Sequence, residues 1–258
     1  MKTLLYTSLA ECYDKIYQSK NYTQEALFIK EHGQSNKTAS DEYTLLDLAC
    51  GTGTHAHELE KYYQVTGIDL NPEMLEIAKT KTQHTTFHTG NMQNISSSIG
   101  DKCFDVITCL FSAINYNTNL KELEQVFREV YEHLNTNGVF IFDLGFCQEN
   151  WMEGLVSIDT VVEDNLKLAR LCQSHQKNGI FTADFVFLLK KDGEINFDID
   201  RHKVGVYYTE QVNTLLENIG YKTNIYAGFT NKKYKGGEFN IPVFTATKKK
   251  RGTILKND

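Results

Sequence analysis

The spacing of hydrophobic and polar positions changes several times along the chain, and each change marks a different kind of element. The first 43 residues contain two segments with helical spacing, SLAECYDKIY and YTQEALFIKEH, followed by a stretch of small polar residues. From residue 44 to residue 143, short strand-like runs alternate with amphipathic segments; the runs are TLLDLA, QVTGIDL, TTFHTG, FDVITCLF and VFIFDL. This alternation predicts right-handed βαβ units and a mostly parallel sheet.

The segments between these runs predict helices. THAHELEKYY follows the first run, and PEMLEIAKTK follows the second with Pro72 in its first turn. NLKELEQVFREVYEHL is amphipathic and is expected to stop near NTNG, a cluster of turn-forming residues.

After residue 145 the pattern becomes that of an antiparallel meander with turns at KNG and KDG; its runs are SIDTVVE, LKLARLCQSH, IFTADFVFLLKK and EINFDIDRHKVGVYY. A helix ending at Gly220 and two further strands follow it. We therefore predict an α/β fold, a Rossmann-like sheet with an antiparallel β insert. Its expected parts are an N-terminal helical cap (1–43), the core (44–149), the insert on the main sheet (150–205), and a C-terminal helix and strands that complete the core sheet (206–258).

Composition excludes several classes of protein. The 258 residues are 41% hydrophobic and 23% charged, which is typical of a globular protein, and the net charge of −6 argues against a nucleic-acid partner. No run approaches 18 apolar residues, so no membrane span is expected. The six cysteines form no CxxC pair and indicate buried thiols in a reducing cytoplasm. Without an HxxH pair or an acidic cluster, we expect no metal, and KKKR at 248–251 is interpreted as a solvated tail.

The first predicted strand runs into a glycine loop, LLDLACGTGTH. Gly51 and Gly53 let the main chain approach a ligand, and the following helix offers free N–H groups. Asp69 lies 18 residues after Gly51, at the end of the second strand, where a carboxylate can accept hydrogen bonds from both ribose hydroxyls. GTGTHA also satisfies G-x-G-x-x-A, so an NAD-dependent oxidoreductase remains an alternative.

Three further features favour a ligand with an adenosine and a compact zwitterionic tail. Asp47, four residues before Gly51, would be unfavourable beside a pyrophosphate but suits a cationic group. GNMQNI follows the third strand and places a polar and then an apolar side chain where a purine would lie. CLFSAINY ends the fourth strand and adds aromatic and polar groups over the same cleft.

Together, LLDLACGTGTH, VTGIDLNPEML, TGNM, FDVITCLFSAINY and HLNTNGVFIFDL resemble the class I S-adenosylmethionine (SAM)-dependent methyltransferases in order and spacing, over residues 40–145. YDKIYQSKNYTQEA, FSAINY, WMEGLVSID and DRHKVGVYYTEQ further resemble the N,N-dimethyltransferases of nucleotide-linked amino sugars, as in the desosamine pathway. The resemblance implies SAM as cofactor and the amino group of a small-molecule acceptor as substrate. An O- or C-methyltransferase of another small metabolite and a non-catalytic SAM-binding module remain alternatives.

The resemblance also implies which residues of this chain contact the cofactor. Ala49, Gly51 and Gly53 would contact the methionine part through the backbone. Asp69 would hold the ribose, and Leu70 would pack on the adenine. In the amino-sugar subgroup, the residues matching Tyr13 and Tyr22 cover the cofactor and bind its carboxylate.

At the other end, Asn91 stands where the family usually has aspartate, and its carbonyl oxygen can still accept from the adenine amino group. Met92 would donate its backbone N–H to the ring, while Leu110 and Phe111 would flank the sulfonium. Two departures concern the acceptor: Phe146 stands where the subgroup carries tryptophans, and a lysine-rich loop, NKKYKGGEFN, replaces an arginine suited to a diphosphate.

For catalysis, the matching positions are Tyr116, after the fourth strand, and His202, on the last strand of the insert. Either could orient an amine and accept its proton, directly or through water. His55 and His57 are interpreted as surface or cap residues. By analogy with the subgroup, we expect a homodimer through the insert, whose exposed strands need cover.

Overall fold

The computed structural model describes residues 9–34, 42–177, 180–237 and 240–249. Within those ranges the helices are α1 (Ala10–Ile16), α2 (Tyr22–Gly33), α3 (Thr54–Leu59), α4 (Pro72–Lys81), α5 (Ser96–Ile99), α6 (Leu120–His133) and α7 (Thr209–Ile219), with a 3₁₀ turn over Ala113–Tyr116. The strands are β1 (Thr44–Leu48), β2 (Gln64–Asp69), β3 (Thr86–Thr89), β4 (Phe104–Cys109), β5 (Leu134–Asp143), β6 (Val156–Val162), β7 (Leu166–Lys177), β8 (Ile180–Lys191), β9 (Glu194–Val204), β10 (Tyr221–Ala227) and β11 (Pro242–Lys248).

Seven of these strands form the central sheet, in the order β10-β11-β5-β4-β1-β2-β3. Strands β1 to β5 are parallel, and β11 runs antiparallel to both of its neighbours, β5 and β10. Because β1 lies between β2 and β4, the chain changes direction across the sheet at β1. Ligands of open α/β sheets bind beside such a switch point, at the carboxyl ends of the strands.

The hydrophobic pattern explains why these elements form. Every residue of β4 is buried, as expected for a strand covered on both faces. Helix α6 buries Leu123, Val126, Phe127 and Val130, which share one helical face, and the Phe127 ring lies 5.4 Å from that of Phe142 in β5. The Asn119 side chain caps this helix by accepting from the backbone N–H of Glu122 at 3.0 Å.

One local prediction is wrong, because helix α3 ends at Leu59, four residues before the end of the predicted segment. Helix α6 stops at His133, beside NTNG as expected, but β5 already begins at Leu134 and includes NTNG. Leu134 is buried and pairs with Phe104, while Asn137 has a φ of 65° beside an irregularity in the β4–β5 register. Burial and pairing of Leu134 thus override the turn propensity of the residues after it.

The predicted antiparallel insert is confirmed, and it forms a sheet of its own, β6-β7-β8-β9, separate from the central sheet. Asp192 and Gly193 join β8 to β9 with φ angles of 51° and 88°, which is the two-residue turn that KDG predicts. The KNG turn and the end of KKKR lie outside the described residues. The division of the chain into four parts remains a prediction.

The two faces of this antiparallel sheet differ. The inner face covers α1 through a cluster that includes Cys12, Ile16 and Phe187. The opposite face, here called the outer face, carries charged side chains such as Lys167 and Lys190. It also exposes eight apolar side chains: Val156, Ile158, Val162, Leu171, Leu188, Ile195, Phe197 and Ile199. In the part of the chain that the structure describes, no helix is long and apolar enough to cross a membrane.

Candidate active site

A cavity of about 610 Å³ opens at the carboxyl ends of β1 to β4, beside the switch point. It has the size of a small-molecule site. Eleven of the residues expected to bind the cofactor or the acceptor line it: Tyr13, Tyr22, Ala49, Gly51, Asp69, Leu70, Asn91, Met92, Leu110, Phe111 and Tyr116. The parallel topology brings these residues together from segments more than 100 positions apart.

Gly53 does not line the cavity. Its backbone has a φ of 74° and begins α3, and a Cβ placed there would lie 2.7 Å from the Cβ of Ala78 in α4. The glycine therefore allows close packing of the loop against α4. Its predicted contact with the cofactor remains a prediction.

The loop after β1 is held in a strained conformation. Ala49 and Gly51 have φ angles of 55° and 56°, a left-handed region that costs energy for alanine. The N–H of Gly51 donates to Asp69 Oδ2 at 2.8 Å, and the N–H of Asn71 donates to Oδ1 at 2.8 Å. Oδ1 also accepts from Asn71 Nδ2 at 3.5 Å, whereas Oδ2 retains a further lone pair for a ligand. Asp69 therefore both shapes the loop and can bind.

Asp47 is a buried carboxylate in the cavity wall. Its Oδ1 accepts from Thr108 Oγ1 at 2.7 Å, whereas Oδ2 has no hydrogen-bond partner among the described residues. Burial raises the pKa of Asp47 to about 6. A buried carboxylate oxygen without a donor is costly, so this atom fits a cationic group of a ligand.

His55 was interpreted as a surface or cap residue, and that interpretation is wrong. It is buried in the cavity wall, where its Nε2 lies 2.7 Å from Glu25 Oε2, because α2 packs over the start of α3. Lys20 donates to the same carboxylate and lies 4.7 Å from the centre of the Phe111 ring. His57, on the same helix, is exposed as expected.

Helix α1 covers the cavity. Tyr17 packs edge-to-face against Phe111 at 4.7 Å and against Tyr13 at 4.8 Å. Asp14 accepts hydrogen bonds from Thr52 Oγ1 at 2.6 Å and Thr54 Oγ1 at 3.0 Å. It also pairs with Lys81 of α4. Sequence reasoning missed Asp14 and both threonines, since nothing local marks a surface aspartate as the partner of a loop 38 residues away.

A second strained segment follows β4. Phe111 and Ser112 have φ angles of 60° and 61°, and the backbone N–H of Ser112 donates to Asp143 Oδ2 at 2.8 Å. Non-glycine residues are held in this region only where the surroundings fix them, commonly at functional sites. The contacts that hold this strained backbone in place also keep Leu110 and Phe111 at the cavity wall.

The expected adenine end is formed by the segment after β3. Asn91 Oδ1 accepts from the backbone N–H of Gln93 at 2.9 Å, which leaves one lone pair of that oxygen for a ligand. Asn117 Nδ2 approaches Met92 Sδ at 3.4 Å, and the Leu70 side chain is exposed at the cavity. Leu70, with its large exposed apolar surface, suits a stacked ring.

The two predicted catalytic residues are in contact. Tyr116 Oη lies 2.5 Å from His202 Nδ1, although the residues are 86 positions apart. Tyr116 is 38% exposed and lines the cavity, whereas His202 is buried behind it. Nε2 of His202 lies 3.1 Å from Asp200 Oδ2. Burial lowers the pKa of His202, although Asp200 acts to raise it, so the imidazole is neutral near pH 7.

The residues expected to hold the rest of an acceptor do not line this cavity. Phe146 packs near Trp151, with ring centres 6.2 Å apart, and the Trp151 ring lies 4.9 Å from that of Phe181. Lys232 and Lys233 are exposed in the segment between β10 and β11. Within the described ranges, no cluster of three or more His, Cys, Asp or Glu side chains could hold a metal ion.

Comparison with known proteins shows which proteins the chain resembles. Residues 45–138 match a family described as a methyltransferase domain. The dTDP-3-amino-3,6-dideoxy-alpha-D-glucopyranose N,N-dimethyltransferase of Streptomyces fradiae is 29% identical over 211 residues, which cover 79% of each chain. The crystal structure of DesVI from Streptomyces venezuelae superposes with a TM-score of 0.79 at 25% identity, over 93% of this chain and 98% of DesVI.

A further solved structure agrees in fold. CalS10, an amino pentose methyltransferase from Micromonospora echinaspora with SAM bound, gives a TM-score of 0.76 at 22% identity over 96% of this chain and 99% of its own. The family match decides against the NAD-dependent oxidoreductase that the G-x-G-x-x-A pattern allowed. Residues 45–138 thus form a methyltransferase domain, and the protein is an enzyme that uses SAM as its cofactor.

Proposed function

We propose that the protein transfers a methyl group from SAM to the amino group of a nucleotide-linked amino sugar. The observation that carries this proposal is the Tyr116–His202 pair, in which Tyr116 lines the same cavity as Phe111 and its phenolic oxygen contacts His202. Such a group can hold an amine by hydrogen bonding. The names of the Streptomyces relatives describe dimethylation of amino sugars, which supports the same substrate class for this chain.

The cavity wall fits the cofactor from end to end. Asp69 would bind the ribose, because it lines the cavity and its Oδ2, which accepts a hydrogen bond from Gly51, retains a further lone pair. Leu70 would pack on the adenine, which Asn91 and Met92 would contact by hydrogen bonds. The backbone of Ala49 and Gly51 would follow the methionine part.

Opposite charges in the wall suit the zwitterionic tail of SAM. The open Oδ2 of Asp47 would accept from its ammonium group. Tyr13 and Tyr22 would meet its carboxylate from the covering helices, and burial raises the pKa of Tyr22, so its hydroxyl stays a neutral donor. His55 lies edge-to-face with Tyr22 at 4.8 Å and supports it.

SAM supplies a methyl group on a sulfonium, which is already activated for attack. The protein therefore has mainly to align the amine, and such positioning is worth about 7–11 kcal/mol of the barrier. Leu110 and Phe111, held by the strained segment after β4, would fix the reacting end. Tyr116 would orient the amine and, with His202, accept the proton that the amine loses.

The first test is binding followed by turnover. Isothermal titration should give micromolar affinity for S-adenosylhomocysteine and none for NAD. Purified protein, SAM and a set of dTDP-linked amino sugars should then yield N-methylated products, counted by mass spectrometry. Each amino sugar is matched by its analogue with a hydroxyl in place of the amine. Methylation of the hydroxyl analogue instead would make the protein an O-methyltransferase, and cofactor binding without turnover would make it a SAM-binding module.

We propose further that the protein is a homodimer joined through the outer face defined above. Eight apolar side chains on this face are 37% to 71% exposed, and clusters of exposed apolar side chains often mark interaction surfaces. Sheets pack well face to face, so a second copy of the same surface is a suitable cover. Sedimentation velocity should give the mass of a dimer at micromolar concentration.

The expected compartment is the cytoplasm. All six cysteines are free, and four of them are buried. Free thiols are the normal state in a reducing compartment. The proposal predicts that a fluorescent fusion distributes evenly through the cytoplasm of its host.

A further inference from the structure

Three side chains from two distant parts of the chain form a line that ends at the cavity. Asp200 and His202 are two positions apart on β9, so both point to the inner face of the antiparallel sheet. His202 Nε2 lies 3.1 Å from Asp200 Oδ2, and its Nδ1 lies 2.5 Å from Oη of Tyr116. Only Tyr116 reaches the cavity.

Both inner members of this line are buried, with exposed side-chain fractions of 2% for His202 and 6% for Asp200. A buried carboxylate near an imidazole nitrogen favours a hydrogen on that nitrogen. In a neutral ring the other nitrogen is then an acceptor. The direction of the hydrogen bond between His202 and Tyr116 therefore depends on the carboxylate of Asp200.

Resting on the proposed function, we propose that Asp200 is a positioning residue that holds His202 with its hydrogen on Nε2, so that Tyr116 donates to Nδ1 and turns its oxygen lone pairs to the acceptor amine. Asp200 touches neither cofactor nor acceptor. It acts on the amine only through the two residues before it.

The other groups around His202 do not compete for this role. Arg170 on β7 is committed to Asp159, with nitrogen–oxygen distances of 3.0 and 2.6 Å, and to the hydroxyl of Tyr17 at 2.5 Å. On β8, Phe185 presents its ring to His202 at 4.7 Å. Asp200 is thus the carboxylate placed to set the hydrogen position of His202.

The same line accounts for the proton that methylation releases. As the amine nitrogen bonds to the methyl carbon, the carbon–sulfur bond breaks and its electron pair stays on sulfur. One N–H bond of the resulting ammonium then breaks as its proton moves to Tyr116 Oη, while the phenolic proton moves to His202 Nδ1. The imidazolium so formed lies against Asp200, as in other carboxylate–histidine pairs, and later loses its proton to water.

The hydrogen position can be measured without any substrate. In protein labelled with ¹⁵N in the histidine rings, the His202 signals are assigned by their loss in His202→Gln. We expect a protonated Nε2 and an unprotonated, hydrogen-bonded Nδ1. In Asp200→Asn this preference should weaken or reverse, whereas Asp198→Asn, two positions earlier on the same face, should leave it unchanged. A wild-type Nδ1–H signal would overturn the proposal.

Kinetics supply the second readout. Asp200→Asn should lower kcat about 100-fold, the low end for positioned acid–base groups, while KM and S-adenosylhomocysteine affinity change less than about two-fold. In a Tyr116→Phe background, Asp200→Asn should lower kcat less than about three-fold, because the contact between Tyr116 and His202 is already lost. If the losses of kcat from Asp200→Asn and Tyr116→Phe simply multiply, Asp200 has a merely structural role and the proposal is overturned. If no amino sugar is methylated at all, the proposed function fails, while the ring signals still decide the direction of the hydrogen bond between His202 and Tyr116.

Discussion

At the residue scale, the two glycines of the loop after β1 face different neighbours. A Cβ at Gly51 would meet no described protein atom within 4 Å, whereas one at Gly53 would lie 2.7 Å from Ala78. Both positions have positive φ, which costs alanine about 1–2 kcal/mol. Gly51 is therefore required mainly by what enters the cavity, and Gly53 by the fold.

We predict that Gly51→Ala lowers the free energy of unfolding by about 1–2 kcal/mol and abolishes detectable S-adenosylhomocysteine binding. Gly53→Ala should destabilise the protein by more than that, because the backbone of α4 must also move. Chemical denaturation and titration calorimetry measure the two effects. Equal loss of stability in both variants, with binding retained in Gly51→Ala, would show that Gly51 also serves only the fold.

We expect the buried carboxylate of Asp47 to lower the stability of the ligand-free protein and to strengthen cofactor binding. Its pKa rises from 3.8 to about 6 on folding, so the folded protein keeps a proton that the unfolded chain has lost between those values. Stability therefore falls as pH rises through that window, by an amount on the order of 3 kcal/mol for about two pKa units. Asp47→Asn has no ionisable carboxyl group at this position, so it should not lose stability over this pH range.

We expect Asp47→Asn, without ligand, to be more stable than the wild type at pH 7 and about equal to it at pH 4. The same variant should bind S-adenosylhomocysteine about 10- to 150-fold more weakly at pH 7, the value of one charge-assisted hydrogen bond. Asp105→Asn, a buried acid on β4 away from the cavity, is the control and should leave affinity unchanged. A less stable Asp47→Asn with normal affinity would contradict both expectations.

At the scale of elements, α1 is joined to the cofactor loop mainly by one side chain. Asp14 connects it to Thr52 and Thr54 of the loop and to Lys81 of α4. The other polar contacts of α1, such as Lys15 with Glu163, reach the antiparallel sheet instead. Loss of Asp14 should thus loosen the cover while leaving the central sheet intact.

We predict that Asp14→Ala speeds amide hydrogen exchange in α1 and weakens S-adenosylhomocysteine binding about ten-fold, a loss of about 1.4 kcal/mol. Lys15→Ala removes an exposed ion pair of the same helix and should do neither. Exchange mass spectrometry and calorimetry provide the readouts. Unchanged exchange in Asp14→Ala would mean that the aromatic contacts of Tyr13 and Tyr17 suffice to hold the helix.

Elements with a strong hydrophobic period could be predicted from the sequence, and sites built from long-range partners could not. The strands of the parallel sheet, the glycine loop and Asp69 follow from local pattern. The early start of β5 could not be predicted, because NTNG is a turn signal only until Leu134 pairs with Phe104 across the sheet. His55 and Asp14 were misjudged or missed since their partners, Glu25 and Thr52, lie 30 and 38 residues away.

At the scale of the whole molecule, the outer face is the proposed dimer interface, and charged side chains introduced there should separate the two copies. Phe197 and Ile199, on the edge strand β9, are 62% and 56% exposed. Phe197→Glu combined with Ile199→Glu would place four carboxylates in the interface of two copies, so we expect a monomer by sedimentation, with S-adenosylhomocysteine affinity retained. Leu120→Glu, an exposed apolar position on α6, is the control and should stay dimeric. A wild-type monomer would refute the proposal outright.

The place of β11 in the main sheet has a consequence for how the chain folds during synthesis. It is the last described strand along the chain, yet it lies between β5 and β10 and pairs with both. Until the ribosome has released residues 242–248, the long edge of β5 is open and can pair with a neighbouring nascent chain. The sheet is therefore completed only when β11 has left the ribosome, and a delay at that stage would favour aggregation over folding.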